Sequence, residues 1–127
     1  MNDVAEEWLE KAEADFGTAQ REFAAKPSPN YDAVCFHAQQ CIEKLMKGLL
    51  INLGNVPPRT HDLATLNDLL STSNPSWTWP PEDLRLLTRA AVTFRYPGES
   101  AEREEAQAAL DACIRLRLRL RELNTDG

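Results

Sequence analysis

The sequence predicts an all-α fold, an up-and-down helical bundle of four to five helices with short connections. Apolar residues return every three or four positions through successive segments, as helices that bury one face require. Proline- and glycine-bearing stretches, among them KPSPN, NVPPRTHD, STSNPSWTWPPED and RYPGES, separate those segments. Length sets the third bound, because 127 residues, 43% of them hydrophobic, suit one domain over 1–127 with one core.

The first segment places Val4, Trp8, Ala12, Phe16 (or Asp15), Ala19 and Phe23 on one stripe. Asp3 with Glu6 reads as a capping box, and Pro27 and Pro29 close a helix expected from about Asp3 to Ala25. Asn30 caps the second helix, whose inward positions are Tyr31, Val34, Cys35, Ala38, Ile42, Leu45, Leu49 and Leu53, with Gly54 where a left-handed residue is wanted. Pro57 and Pro58 then impose an extended path. A shorter third helix turns Leu63, Leu66, Leu69 and Leu70 inward, with Thr60 or His61 as its cap.

Trp77 and Trp79, in the polar connection that follows, are expected to fold back as a lid on the core. Pro80 or Pro81 suits the first turn of a fourth helix carrying Leu84, Leu87, Ala91 and Phe94 on one face. Ser100 is the expected cap of a fifth, with Ala106, Leu110, Cys113, Ile114, Leu116 and Leu120 inward. Within it, IRLRLRLREL alternates like a strand, yet leucine and arginine are good helix formers and no second strand exists to pair with. Helix is therefore expected there.

The formal net charge of −6 opposes nucleic acid and anionic membranes unless a local basic patch exists. Three cysteines, Cys35, Cys41 and Cys113, lack the spacing of a disulfide framework or a zinc site, which fits a reducing cytoplasm. The acidic opening MNDVAEEW is unlike a signal peptide, and no apolar run approaches the roughly 18 residues of a membrane span. A soluble, unprocessed, cytoplasmic protein is expected. No metal centre, glycine-rich phosphate loop or nucleophile elbow is visible, so no cofactor is expected.

CFHAQQCIEK, residues 35–44, mixes core residues with a histidine, two glutamines and a lysine. At 100° per residue, His37, Gln40, Lys44, Lys47, Gly48 and Ile51 share a side opposite Tyr31, Ile42 and Leu49. A glycine inside a helix costs about 1 kcal/mol relative to alanine and is kept where another helix comes close. That side is either a helix-to-helix contact surface, for self-association or a partner, or a solvated face.

Three further groups carry chemistry or structure. Arg59 and His61 flank the start of the third helix, where free N–H groups favour an anion such as a nucleotide phosphate. Arg95, followed by Tyr96, sits near the inward edge of the fourth helix and needs a partner such as Glu43 or Glu99, in a clasp or at the edge of a ligand groove. Arg115, Arg117, Arg119 and Arg121 either complement a helix carboxyl terminus or form a basic patch for RNA or an acidic partner.

The run YDAVCFHAQQCIEKLMKGLLINLGNVPPRTHDLATL, followed downstream by FRYPGE, strongly resembles the HEPN domain family. The likeness covers nearly the whole chain in order, so the 1–127 unit is read as a single HEPN domain. The resemblance implies a five-helix, mostly antiparallel bundle that commonly forms a homodimer and is often encoded beside a small nucleotidyltransferase. It also implies, for many members, metal-independent ribonuclease activity from an arginine and a histidine four to six residues apart. Here the arginines preceding His37 and His61 are Arg21 and Arg59, and no histidine follows Arg95, so that motif is absent.

The expectation is therefore a nucleotide- or substrate-binding partner of a nucleotidyltransferase in a two-gene, toxin–antitoxin-like system, with enzymatic activity of its own not expected. Its binding residues are His37, Gln40, Lys44, Arg59, His61, Arg95 and Tyr96. One alternative is a ribonuclease toxin with a non-standard site from His61, Arg59 and Arg95, acting on RNA. Another is a dimeric scaffold without ligand.

Overall fold

Asn2 starts the first helix: its side chain accepts the Val4 and Ala5 N–H groups at 2.7 and 3.4 Å, just ahead of α1 (Asp3–Ala24). The expected Asp3 capping box is thus corrected by one residue, and Asp3 and Glu6 instead lie in the first turn, where the helix dipole favours carboxylates. The structure is a computed structural model and describes residues 2–126; Met1 and Gly127 of the expected domain lie outside it. Four more helices follow, α2 (Tyr31–Asn52), α3 (Leu63–Ser73), α4 (Pro81–Thr93) and α5 (Arg103–Asp126), with no strand among the described residues. The alternating arginine run is helical.

The second helix is the axis of the molecule. All four other helices pack on it, and 13 of its 22 residues are buried, including Gln39, Glu43 and Lys47. Asn30 accepts the Ala33 N–H at 3.0 Å. At the far end the Gly54 N–H donates to Ile51 and the Asn55 N–H to Leu50, a Schellman closure that needs the left-handed φ of 87° at Gly54.

The side of α2 opposite its leucines is covered by α1. A Cβ at Gly48 would come within 2.9 Å of Leu9 Cδ1 and 3.3 Å of Trp8 Cβ. The close helix that this glycine admits is α1 of the same chain, so at Gly48 the helix-to-helix contact, one of the two readings of this side, is internal. The inner stripe of α1 is built of small residues, Ala5, Ala12 and Ala19, together with Asp15. Val4, expected inside, is 53% exposed because Ala5 takes the inward register. Leu69, Ile114 and Leu53 are likewise exposed, the first two because Leu70 and Cys113 occupy the neighbouring inward positions.

Polar contacts fix the remaining helices. Gln39 Nε2 donates to the His61 carbonyl at 3.0 Å and Asn55 Nδ2 to Ser73 Oγ at 2.9 Å, so α3 runs in the same sense as α2 once the proline segment has doubled back. Asp62, rather than Thr60 or His61, caps α3 by accepting the Ala64 N–H at 3.1 Å. Trp77 is buried, stacks on Trp79 at 5.9 Å, and donates to Asn67 Oδ1, forming the expected lid. Pro81 occupies the first position of α4.

The fifth helix lies along α2 and is pinned at both ends, by Asp32 Oδ1 accepting the Ala101 N–H at 2.6 Å and by Asn52 Nδ2 donating to Asn124 Oδ1 at 3.0 Å. Ser100 does not cap it. Instead the Glu102 N–H donates to Glu105 Oε1 at 2.6 Å, the reach-back half of a capping box. No helix among the described residues is long and apolar enough to cross a membrane.

Candidate ligand-binding site

Glu43 is the centre of a polar cluster on the side of α2 that faces α3 and α4. Its side chain is 4% exposed, and a carboxylate so deep must be surrounded by donors. Four supply them: His61 Nδ1 at 2.9 Å, Lys47 Nζ and Gln39 Nε2 at 3.1 Å each, and Gln40 Nε2 at 3.4 Å. Gln39 uses the same amide to hold the His61 carbonyl, so both backbone and ring of this residue are docked on α2. The preceding prolines keep the segment extended and able to lie there.

The imidazole is held at one nitrogen and open at the other. Facing a carboxylate acceptor, Nδ1 is the donor, which leaves Nε2 directed outward. The His61 side chain is 82% exposed despite that anchor. It forms one wall of a cleft of about 310 Å³ also lined by Phe36, Gln39, Gln40, Ala91, Val92 and Arg95. Arg95 lies just beyond α4 with its guanidinium 5.4 Å from the Phe36 ring centroid. It makes no ion pair with Glu43 or Glu99, so the expected carboxylate clasp is replaced by an aromatic platform that leaves its charge available. The turn after it is closed by the Glu99 N–H donating to the Tyr96 carbonyl, with φ of 91° at Gly98 and Pro97 before it.

Of the seven residues singled out from sequence, Gln40, His61 and Arg95 line this cleft. His37 and Lys44 face α1, where both hold the buried carboxylate of Asp15, at 2.8 and 2.6 Å. Arg59 and Tyr96 are exposed and outside the cleft lining. The amino terminus of α3 is capped by its own Asp62, whose second oxygen accepts from Thr65 Oγ1, which puts a carboxylate where a phosphate is expected. Sequence reasoning gave Asp15, Gln39 and Glu43 no part in binding. The available signal was polar residues at inward helical positions, Asp15 between Ala12 and Ala19 and Glu43 four residues before Lys47.

A HEPN domain model matches residues 5–123. The chain belongs to the HEPN domain family. Two solved structures share the fold of this HEPN protein. TT1696 from Thermus thermophilus is 26% identical, covering 96% of this chain and 99% of that one, with a TM-score of 0.77. ST0689, an archaeal HEPN homologue, is 24% identical over 94% of this chain and 97% of that one, with a TM-score of 0.67. No curated protein matches it.

Elsewhere on the HEPN chain, two chemistries are restrained by local structure. Four arginines of α5 are engaged: Arg115 with Asp83 at 2.9 Å, Arg119 with Glu122 at 3.3 Å, and Arg117 and Arg121 both with Glu13. The hydrogen bond from Arg117 holds the Glu13 carboxyl below its ordinary range against the opposing effect of burial. Arg115 thus ties α5 to α4, and Arg117 and Arg121 tie it to α1, so of the two readings the basic patch gives way to ion pairs. Burial pushes the Cys35 thiol up to about 12, and a hydrogen bond to Cys113 together with burial raises Cys41, so neither is a thiolate at neutral pH. Among the described residues no group of three or more histidine, cysteine or acidic side chains could hold a metal ion.

Proposed function

We propose that the cleft at His61 binds a nucleotide and that the protein serves, as a dimer, as the substrate-binding partner of a small nucleotidyltransferase in a two-gene, toxin–antitoxin-like system. The observation that carries this reading is the pairing of Arg95 with Phe36 beside Gln40 and His61. An aromatic ring with a guanidinium above it offers a base or sugar a flat apolar surface and a phosphate a permanent cation. The glutamine amide and the free imidazole nitrogen add directional contacts to a cleft of ligand size. Membership of the HEPN family supports the partnership.

Calorimetric titration with AMP and ATP tests the binding. Arg95→Gln is expected to weaken it about tenfold, as for the loss of one charge-assisted hydrogen bond. Absence of binding at millimolar nucleotide would overturn the reading. The partnership is tested separately by co-expression with the product of an adjacent nucleotidyltransferase gene, which is expected to co-purify.

A second reading, RNA cleavage in the same cleft, draws on the contact between Glu43 and His61. An imidazole oriented by a buried carboxylate is the arrangement of a general base, able to take the ribose 2′-hydroxyl proton at Nε2 and return it to the departing 5′-oxygen, while Arg95 offsets the charge on phosphorus. Cleavage of labelled RNA in the presence of chelator, lost in His61→Ala, would favour this reading over binding alone.

A further inference from the structure

At the turn between α1 and α2 a second cleft, of about 500 Å³, opens between Phe23, Lys26, Pro27, Pro29, Tyr31 and Arg103. No acidic side chain lines it, although the protein carries a net charge of −6. Neither Lys26 nor Arg103 forms an ion pair among the described residues. The Arg103 guanidinium lies 4.6 Å from the Phe23 ring centroid, and the Phe23 and Tyr31 rings are 5.9 Å apart, tilted by 54°. Asp32, the carboxylate next to Tyr31, is turned to the Ala101 N–H.

From this geometry we infer that the cleft is a binding site for a small planar aromatic compound carrying a phosphate monoester. The tilted ring pair supplies the apolar wall that a flat ring needs, and the two prolines restrict the backbone of the turn, which lowers the ordering cost of binding. Arg103 and Lys26 supply the cations, the first as a planar fork suited to two phosphate oxygens. Neither charge is held by a carboxylate that the ligand would have to displace. The site is separate from the His61 cleft and does not rest on the function proposed for it.

The probe is phenyl phosphate, compared with inorganic phosphate and benzyl alcohol, each titrated into the uniformly ¹⁵N-labelled protein. Phenyl phosphate is expected to shift the amide signals of residues 23–31 and 103, with inorganic phosphate and benzyl alcohol each at least about tenfold weaker, because each lacks one half of the recognition. Arg103→Gln and Lys26→Gln change exposed side chains and should keep the native spectrum while lowering affinity about tenfold apiece. Tyr31→Leu tests the ring wall in the same way. Shifts confined to residues 36–40 and 91–95, equal affinity for inorganic phosphate, or binding unchanged in Arg103→Gln would each overturn the proposal. AMP serves as a second ligand, and loss of its effect at one cleft but not the other separates this site from the nucleotide site.

Discussion

His61 Nδ1 stands 2.9 Å from Glu43 Oε1, joining an exposed imidazole to a carboxylate that water scarcely reaches. The same carboxylate is the counter-ion of Lys47, which is itself buried and lies with its ammonium 5.6 Å from the Trp8 ring centroid. One side chain thus orients the cleft and neutralises a charge under α1.

Removing that carboxylate charge should therefore affect stability more than a surface change does. Glu43→Gln leaves Lys47 without a counter-ion in the interior and is expected to cost about 3 kcal/mol, within the range for breaking a buried pair. The double variant Glu43→Gln with Lys47→Met should lose less than the single one, because the amide oxygen still accepts from His61 and Gln39 while no charge is stranded. Urea unfolding of both measures the difference, and equal losses would count against a buried pair.

Two glycines in helices should respond in opposite directions. At Gly17 a new Cβ meets only the mobile end of Arg21, at 3.1 Å, so Gly17→Ala should stabilise by up to about 1 kcal/mol through helix propensity. At Gly48 the space is taken by Leu9 and Trp8, and Gly48→Val should cost at least about 2 kcal/mol through overpacking at the α1–α2 contact. Thermal midpoints that rise for the first and fall for the second are the expected result.

The pairing of Glu13 with Arg117 and Arg121 predicts a dependence on pH. Its carboxyl is held below the ordinary 4.5, so folding favours the ionised form. Stability from this group is present above that ordinary value and is lost as pH falls through the lower folded-state value. Glu13→Gln should be less stable than the parent at pH 7, and the gap should close on acidification below pH 4.5. A gap that persists at low pH would assign the contribution to packing.

Thiol reagents should find little to attack in the native protein. Cys35, Cys41 and Cys113 are all free and buried, and Cys35 remains protonated well above neutral pH. Labelling by iodoacetamide at pH 8 is expected to be slow and to speed up sharply in denaturant. Rapid labelling of Cys35 in the folded protein would contradict its burial.

The helices were legible because their signals are local. Prolines 57 and 58, Gly54 after a long periodic run, and Pro81 ahead of Leu84 each act within a few residues of themselves. Caps were harder, since Asn2 and Asp3 are both good caps and only the backbone angle of the first decides between them. The side of α2 that bears Gly48 could be recognised as special, but a helical projection shows where a face points and not which chain covers it. The residues that organise the candidate cleft were hidden for a different reason. Sequence offers Glu43 only as a carboxylate for Arg95; that it meets His61 instead depends on a segment 18 positions away folding onto it.

The enclosure of α2 has a consequence for how the molecule opens. Because every neighbour leans on that helix, none of its middle turns can fray while the rest stays in place, and the amides from Cys41 to Leu50 should exchange with deuterium only when the whole chain comes apart. Their exchange rates would then report the global free energy of unfolding directly, with α3 and the tryptophan-bearing connection exchanging sooner.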